Sequence, residues 1–175
     1  MTEPLHGQSA VLRRPSRLDA FIRRVAAQRA CLDHAATLIG ERPGIVLELG
    51  LGNGRTFDHL RERFPARDIF VFDREIAAHP ASIPDAAHIR LGDFHDTLPA
   101  FTHEGWPKAV LVHADIGSPD RVRDAELARW LGPALAPLLA PGALVATDRA
   151  LTTVNWSALP PPEGIAPGDY QLYQV

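Results

Sequence analysis

The sequence has little cysteine and no long apolar run. Cys31 is its one cysteine, which excludes an internal disulfide framework. It lies in a segment with helical spacing of apolar residues, where we expect a small buried hydrophobe. A membrane span needs roughly 18 uninterrupted apolar residues. No stretch approaches that length, because Pro137, Pro141 and Gly142 interrupt the most apolar run.

The charge of the chain is small and mixed. Lys and Arg number 18 against 21 Asp and Glu, which gives a formal net charge of −3. The basic residues are spread along the chain, so no concentrated basic surface is expected to attract a nucleic acid. Residues 1–16 form a polar leader without the apolar core of a signal peptide. We therefore expect a cytoplasmic protein that binds neither nucleic acid nor membrane.

Five short apolar runs separated by helical patterns and loops predict the fold. The runs expected to form buried strands are residues 45–47, 69–72, 89–91, 109–112 and 143–147. Strands that alternate with helices predict an α/β fold with a Rossmann-like, doubly wound, mostly parallel sheet and helices on both faces. The length of 175 residues suits one domain, divided into the leader, a helix at 17–40, a core at 45–148 and a final segment at 149–175.

Local signals predict where the outer elements begin. Ser16 with Asp19 predicts an N-cap, followed by an inward-facing apolar stripe of Leu18, Phe21, Ile22, Val25, Leu32, Ala36 and Ile39. Ser118 and Pro119 predict the start of another helix, which turns Val122, Leu127, Trp130 and Leu131 inward. The alternating residues 170–175 predict an antiparallel edge strand, so the C-terminal edge of the sheet is reduced. Either residues 154–156 form a small sixth strand or one strand is missing.

A cluster of glycines follows the first predicted strand. It spans residues 50–54 in the pattern G-x-G-x-G, with Glu48 two positions before it. Glycine lets the backbone adopt positive φ and approach a ligand closely, and the following helix offers unpaired N–H groups. Dinucleotide-binding proteins space these glycines as G-x-G-x-x-G. Here the third glycine, Gly54, comes one residue early and Arg55 stands where that pattern has glycine, which disfavours a nicotinamide-dependent oxidoreductase.

The acidic residue followed by G-x-G-x-G resembles motif I of the class I S-adenosylmethionine-dependent methyltransferases. The resemblance implies S-adenosyl-L-methionine as cofactor, with Glu48 near its methionine part and the glycines packed against it. Asp73 ends the second strand near the spacing of about 20 residues at which such folds place a carboxylate for ribose. The segment Gly92-Asp93-Phe94 resembles the family's adenine site. The candidate cofactor-binding residues are Glu48, Gly50, Leu51, Gly52, Asn53, Gly54, Asp73, Arg74, Gly92, Asp93 and Phe94.

Three residues at the ends of the fourth and fifth strands are candidate catalytic groups. They are His113, Asp115 and Asp148, and a base is required only if the acceptor must lose a proton. Asp115 and Asp148 resemble two of the three metal ligands in catechol-type O-methyltransferases. The third ligand there is an amide, whereas this chain has Arg149, whose charge disfavours a divalent cation. We therefore expect no metal. Simple loop capping remains open for both carboxylates.

The acceptor is expected to be a small molecule. The residues after the fourth strand, 115–118, lack the D/N-P-P-Y/F motif of enzymes that methylate planar amino groups. No inserted substrate domain is available, so the acceptor pocket is expected between the N-terminal helix and the loops after strands four and five. A second copy of the chain is kept as a further contributor, which leaves a homo-oligomer open. A cofactor-binding protein without transferase activity, such as a sensor or interaction module, is the alternative function.

Overall fold

Strands and helices alternate through most of the chain. The computed structural model describes residues 15–118 and 120–175, so most of the predicted leader, and Pro119, lie outside the described residues. The α-helices are α1 (Arg17–Ile39), α2 (Arg55–Arg63), α3 (Phe94–Phe101) and α4 (Arg121–Leu135). The strands are β1 (Ile45–Leu49), β2 (Ile69–Asp73), β3 (Ile89–Leu91), β4 (Ala109–Ala114), β5 (Leu139–Thr147), β6 (Ser157–Ala158) and β7 (Gln171–Gln174).

The seven strands form one sheet in the order β3-β2-β1-β4-β5-β7-β6. Strands β1 to β5 run parallel to one another. Strand β7 runs antiparallel to β5, and β6 runs antiparallel to β7. The chain therefore reverses its direction of winding next to β1, where ligands bind in open α/β sheets. The predicted Rossmann-like, doubly wound, mostly parallel sheet is confirmed.

The core has two parts because successive side chains of a strand point to opposite faces. Leu47 and Leu49 of β1 pack on the face covered by α3 and α4, with Leu98 and Leu131 among their neighbours. Val46 packs on the other face, which α1 and α2 cover. Cys31 belongs to that second cluster and is 1% exposed, so its prediction as a buried hydrophobe is confirmed.

Helix α1 begins where the sequence predicted but buries less of its apolar stripe. Ser16 accepts a hydrogen bond from the Asp19 N–H at 3.0 Å, and Asp19 accepts one in return from the Ser16 N–H. Leu18, Phe21 and Ile22 are nevertheless exposed. A helix of 23 residues is about 35 Å long, twice the length of a five-residue strand, so its first turns extend beyond the sheet. In the described part of the chain, no helix is both long enough and apolar enough to cross a membrane.

The second half of the chain departs from the predicted boundaries. Helix α4 begins at Arg121 with Asp120 as its N-cap, rather than at Ser118, whose hydroxyl binds Asp124 instead. Val122, predicted to face inward, is 71% exposed because it lies in the first turn, beyond the packed part of the helix.

The C-terminal edge of the sheet also differs from the prediction. Strand β5 begins four residues earlier than expected, at Leu139. Strand β7 is an inner strand rather than the edge, because β6 pairs along its outer side. The small extra strand is formed by Ser157–Ala158 instead of residues 154–156, while Val154 packs against the core.

Candidate active site

The loop of residues 50–54, here called the glycine loop, connects β1 to α2. Gly50, Gly52 and Gly54 all have positive φ, at 90°, 50° and 84°. A Cβ atom on Gly50 would lie 2.9 Å from the carbonyl oxygen of Asp115, so glycine allows the loop to approach the end of β4. A Cβ atom on Gly52 would meet no atom within 4 Å. Gly50 is therefore needed for packing, whereas Gly52 borders open space.

Asp73 fixes the glycine loop from the end of the neighbouring strand β2. Its Oδ2 atom accepts hydrogen bonds from the backbone N–H of Leu51 at 2.7 Å and of Gly52 at 3.1 Å. Its Oδ1 atom accepts from the backbone N–H of Arg74 at 2.6 Å. These hydrogen bonds hold the Asp73 carboxylate, which was predicted to bind ribose, beside the glycine loop.

A cleft of about 390 Å³ opens above the glycine loop, and we call it the glycine-loop cleft. The predicted cofactor residues that line it are Gly50, Leu51, Gly52, Asn53, Asp73, Arg74 and Phe94. Residues of α1 and of the loop after β4 form the facing wall, with Arg24, Gln28, Asp115 and Ile116 among them. The predicted residues Glu48, Gly54, Gly92 and Asp93 do not line this cleft. The cleft therefore gathers most, but not all, of the predicted set.

Asp93 lies in a smaller adjoining cavity, which shares Arg74 and Phe94 with the cleft. It caps α3 by accepting from the His95 N–H at 3.0 Å, and its Oδ1 also lies 2.7 Å from Nδ1 of His95. The backbone hydrogen bond from His95, followed by the contact with its side chain, lowers the pKa of Asp93. The ring centroids of His95 and Trp130 are 4.0 Å apart, with the two rings tilted by 32°. An ionised carboxylate beside aromatic rings is consistent with the predicted adenine segment.

Glu48 and His113 form a buried pair behind the cleft. Both side chains have no exposed surface, and Nδ1 of His113 lies 2.6 Å from Oε2 of Glu48. The Thr56 hydroxyl donates to the other oxygen of Glu48, while Nε2 of His113 lies 2.7 Å from the Tyr170 hydroxyl. These hydrogen-bond partners offset the free-energy cost of burying the Glu48 carboxylate. Neither side chain lines the cleft in this structure, and the cofactor contact of Glu48 and proton transfer by His113 stay predictions.

The surroundings of His113 and Tyr170 shift the pKa of both side chains. Burial by itself would lower the pKa of His113, but the charge and hydrogen bond of Glu48 outweigh it and raise the pKa. Burial, followed by the charges of Asp115 and Asp148, raises the pKa of Tyr170 well above its usual value. The raised pKa of His113 favours its protonated form beside Glu48, and the raised pKa of Tyr170 favours its neutral phenol.

Asp115 is the one predicted catalytic residue that lines the cleft. Arg24 donates from one guanidinium nitrogen to both of its oxygens, at 3.0 and 2.8 Å. The Gln28 amide nitrogen donates to Oδ2 at 2.9 Å and lies 3.2 Å from Nε2 of His113. Gln28 therefore connects the buried pair to the cleft carboxylate.

Sequence reasoning missed Arg24, Gln28 and Tyr170. Arg24 and Gln28 are one helical turn apart, so their side chains share a face of α1. A glutamine on the buried face of an amphipathic helix was a usable signal, because a buried amide requires polar partners. The sequence contains no comparable signal for Tyr170, whose partner His113 comes from a distant strand.

Asp148 is held by its neighbour Arg149. Two guanidinium nitrogens of Arg149 donate to it, at 3.2 and 2.9 Å, and a third contacts Asp124 at 3.0 Å. Asp148 does not line the glycine-loop cleft, so its predicted catalytic role is not supported by its position. Within residues 15–118 and 120–175, no group of three or more His, Cys, Asp or Glu side chains could hold a metal ion.

The doubly wound sheet and the glycine loop define a Rossmann-like protein with a nucleoside-sized cleft at the carboxyl ends of its strands. Residues 15–175 match the family described as S-adenosyl-L-methionine methyltransferase, and the chain belongs to that family. S-adenosyl-L-methionine is therefore its cofactor. The comparison with curated proteins finds no matching sequence.

Solved structures agree with the fold. The chain is similar to an S-adenosyl-L-methionine methyl transferase from Silicibacter pomeroyi DSS-3, with 42% identity and a TM-score of 0.86 over 92% of this chain and 99% of that one. It resembles human methyltransferase-like protein 13 in complex with SAH at 12% identity, with a TM-score of 0.56 over 87% and 80% of the two chains. A chain from the crystal structure of the fibrillarin/Nop5p complex is 16% identical, with a TM-score of 0.51 over 85% of this chain and 81% of that one. The last two similarities concern the fold alone.

The cleft suits the chemistry of this cofactor. Gly52 leaves open space above the glycine loop, and Asp73 offers a fixed carboxylate beside it. Phe94 and Ile116 supply apolar surface for a nucleoside. Arg24 and Asp115 place both signs of charge at one wall of the cleft.

Proposed function

We propose that this protein transfers the methyl group of S-adenosyl-L-methionine to a small-molecule acceptor. The observation that carries the proposal is the glycine-loop cleft, in which the loop, Asp73 and Asp115 surround one open space. When bound, the cofactor supplies a methyl group on a sulfonium, which an acceptor lone pair takes while the carbon–sulfur electron pair returns to sulfur. The protein is left with binding, orientation and exclusion of water, which account for much of the acceleration in such reactions.

The nucleoside part of the cofactor is assigned to the β2 and β3 side of the cleft. Asp73 is proposed to accept from the ribose hydroxyls, because one carboxylate can accept from two vicinal groups. Asp93 and Phe94 are proposed to contact the adenine, with Arg74 between the two cavities. Backbone atoms of the glycine loop are proposed to pack along the cofactor. Gly54 and Gly92 then support this arrangement through the loop shape without touching the ligand.

The amino-acid part is assigned to Arg24. This residue lines the cleft and holds Asp115 through one terminal nitrogen, so its guanidinium has further donors for a carboxylate. Glu48, which the family resemblance placed near the methionine, is instead proposed as a positioning residue. It binds His113 and Thr56, while the Gln28 amide, which packs 3.2 Å from Nε2 of His113, donates to Asp115.

Asp115 is the catalytic residue that the geometry supports. It borders the cleft, and its orientation is fixed by Arg24 and Gln28, so it can accept a proton from an acceptor that must lose one. His113 and Asp148 are proposed to act on its position and on the surrounding charge rather than on the acceptor. The cleft volume of about 390 Å³ favours a small acceptor.

Calorimetric titration with S-adenosylhomocysteine tests the cofactor assignment. Asp73→Asn should weaken binding by about 1–3 kcal/mol, the usual cost of removing a hydrogen-bonding partner of this kind. Asp58→Asn is the matched control, because Asp58 is an exposed carboxylate that pairs with Arg61 outside the cleft. Equal affinities for the wild type and the Asp73 variant would remove Asp73 from the binding site.

Incubation of the protein with methyl-labelled cofactor and a cell extract tests the transfer. The extract is separated by size after the reaction, and label is expected in the small-molecule fraction. Label in protein or nucleic acid would contradict a small acceptor. Tight cofactor binding with no labelled product in any fraction would favour a binding protein without transferase activity.

A further inference from the structure

A second cavity lies between α1 and α2, and we call it the α1–α2 groove. Its volume is about 480 Å³, and its own walls include Ile22, Ala26, Arg29 and Leu32. It shares Val25, Gln28, Arg55 and Thr56 with the glycine-loop cleft. The two cavities are therefore adjacent, and they share Gln28, whose amide donates a hydrogen bond to Asp115.

The groove is apolar along α1. Leu32 is fully buried, whereas Ile22 is 53% exposed and Ala26 is also exposed. Ile22 and Leu32 belong to the apolar stripe of α1, of which Ile22 is left uncovered by the core, and Ala26 lies beside them on the groove wall. An apolar ligand in the groove would remove this exposed apolar surface from water, which favours binding beside the cleft.

The charged residues of the groove are cationic. Its walls contain Arg29 and Arg55 but no aspartate or glutamate. Within the described residues, neither arginine lies within 4 Å of a carboxylate, whereas Arg23, Arg24 and Arg63 on the same two helices each have one. The remaining titratable wall residue is His59, whose Nε2 atom lies 3.0 Å from Oδ1 of Asp33. The groove therefore favours an anion.

We propose that the α1–α2 groove is the acceptor site and that it takes a small molecule with an apolar body and a carboxylate. The hydrocarbon part lies along Ile22, Ala26 and Leu32, and the carboxylate is bound by Arg29 with support from Arg55. Guanidinium groups match the planar geometry of a carboxylate. The shared wall at Gln28 directs the other end of the molecule toward Asp115. This assignment rests on the proposed methyl transfer and specifies its acceptor class.

Binding of two probes that differ only in head-group charge tests the proposal. The full-length protein is first saturated with S-adenosylhomocysteine and then titrated with octanoate or octylamine in a calorimeter. Octanoate is expected to bind at least tenfold more tightly than octylamine. Arg29→Gln should remove most of that preference, because Arg29 lines the groove but not the cleft. Arg17→Gln, on the same helix and outside both cavities, should preserve it.

A steric variant tests the location independently of charge. Ala26→Trp places a large ring in the groove and should abolish octanoate binding, while S-adenosylhomocysteine binding stays within twofold of the wild type. Leu38→Trp, at an exposed position near the other end of α1, is the control that should change neither. Thermal unfolding of each variant checks that it is folded, and Ala26→Val provides a smaller block if the tryptophan variant unfolds.

The outcomes separate this proposal from the proposed function. Absence of S-adenosylhomocysteine binding to the wild type would overturn both. Normal S-adenosylhomocysteine binding without a preference for octanoate would overturn the groove assignment alone. A groove already filled by a second copy or by residues 1–14 would bind neither probe, which also overturns it. Octanoate binding that survives Ala26→Trp would place the anion elsewhere.

Discussion

Nδ1 of His113 lies 2.6 Å from Oε2 of Glu48, and neither side chain has any exposed surface. The two residues come from adjacent strands, where they are paired in the parallel register. Glu48 and His113 are both ionisable, but they are enclosed behind the cleft, where they act as structural groups. Glu48 binds the Thr56 hydroxyl, and His113 contacts the Tyr170 hydroxyl. Gln28 packs between His113 and Asp115, the carboxylate that borders the cleft.

Removal of the Glu48 charge should destabilise the fold. Glu48→Gln removes the buried carboxylate that pairs with His113, and breaking a buried pair by removing one partner costs about 3 kcal/mol or more. The free energy of unfolding from urea titration is the measurement. Asp58→Asn, which removes an exposed carboxylate from α2, should change it by no more than about 0.5 kcal/mol. Similar values for the two variants would contradict the buried pair.

The His113 interaction should make stability depend on pH. Its folded-state pKa is raised above the ordinary value of 6.5, so the stabilisation is fully present below that pH and is lost as pH rises through the folded-state pKa. The charged groups of Glu48, Asp115 and Asp148 act on this histidine together with the Tyr170 hydroxyl.

Unfolding free energies of the wild type and His113→Asn, measured from pH 5.5 upward, isolate this contribution. The difference between the two proteins should shrink as pH increases. His88 also has a raised pKa, but it is present in both proteins and cancels in the difference. A difference that stays constant across the range would show that His113 does not carry the extra proton.

Arg24 should discriminate between ligands with and without an amino-acid group. Arg24→Gln is expected to weaken S-adenosylhomocysteine binding about tenfold or more, because a charge-assisted hydrogen bond contributes about 1.5–3 kcal/mol. Binding of 5′-methylthioadenosine, which lacks the amino-acid group, should be unchanged. Calorimetry on both ligands gives the comparison, with Arg17→Gln as control. Equal losses for the two ligands would indicate that Arg24 only supports the shape of the cleft.

Alanine at two positions of the glycine loop should have different effects. Gly50→Ala brings a Cβ atom to 2.9 Å from the Asp115 carbonyl oxygen at a φ of 90°, so it should reduce both the melting temperature and cofactor affinity. Gly52→Ala meets no atom within 4 Å, and its φ of 50° costs only about 1–2 kcal/mol. Its main effect should be on S-adenosylhomocysteine affinity. Thermal unfolding and calorimetry on both variants test this, and the reverse order of destabilisation would contradict it.

The local elements were predictable because their signals lie close together in the chain. The apolar runs predicted all five parallel strands, and the Ser16–Asp19 pair predicted the start of α1. The spacing of Gly50, Gly52 and Gly54 after an acidic residue predicted the loop. In each case the interacting groups are a few residues apart, so the backbone conformation follows from the residues themselves.

The contacts within the site were less predictable. Arg24 and Asp115 are 91 positions apart, and His113 and Tyr170 are 57 apart. No local rule relates such pairs, because they meet only after α1 and β7 have packed on the sheet. The sequence also cannot distinguish a carboxylate at a strand end that faces a cleft, such as Asp115, from one that is enclosed, such as Glu48.

The sequence alone determined the strand–helix alternation, the glycine loop and the acidic residues at the carboxyl ends of β1 and β2. These depend on backbone preferences and on the period of apolar residues, which act over short distances. Only the tertiary structure decided that Glu48 and His113 are enclosed, that Asp115 faces the cleft, and that α1 supplies the opposite wall. Those outcomes depend on which surfaces cover which, and burial becomes defined only when distant segments pack together.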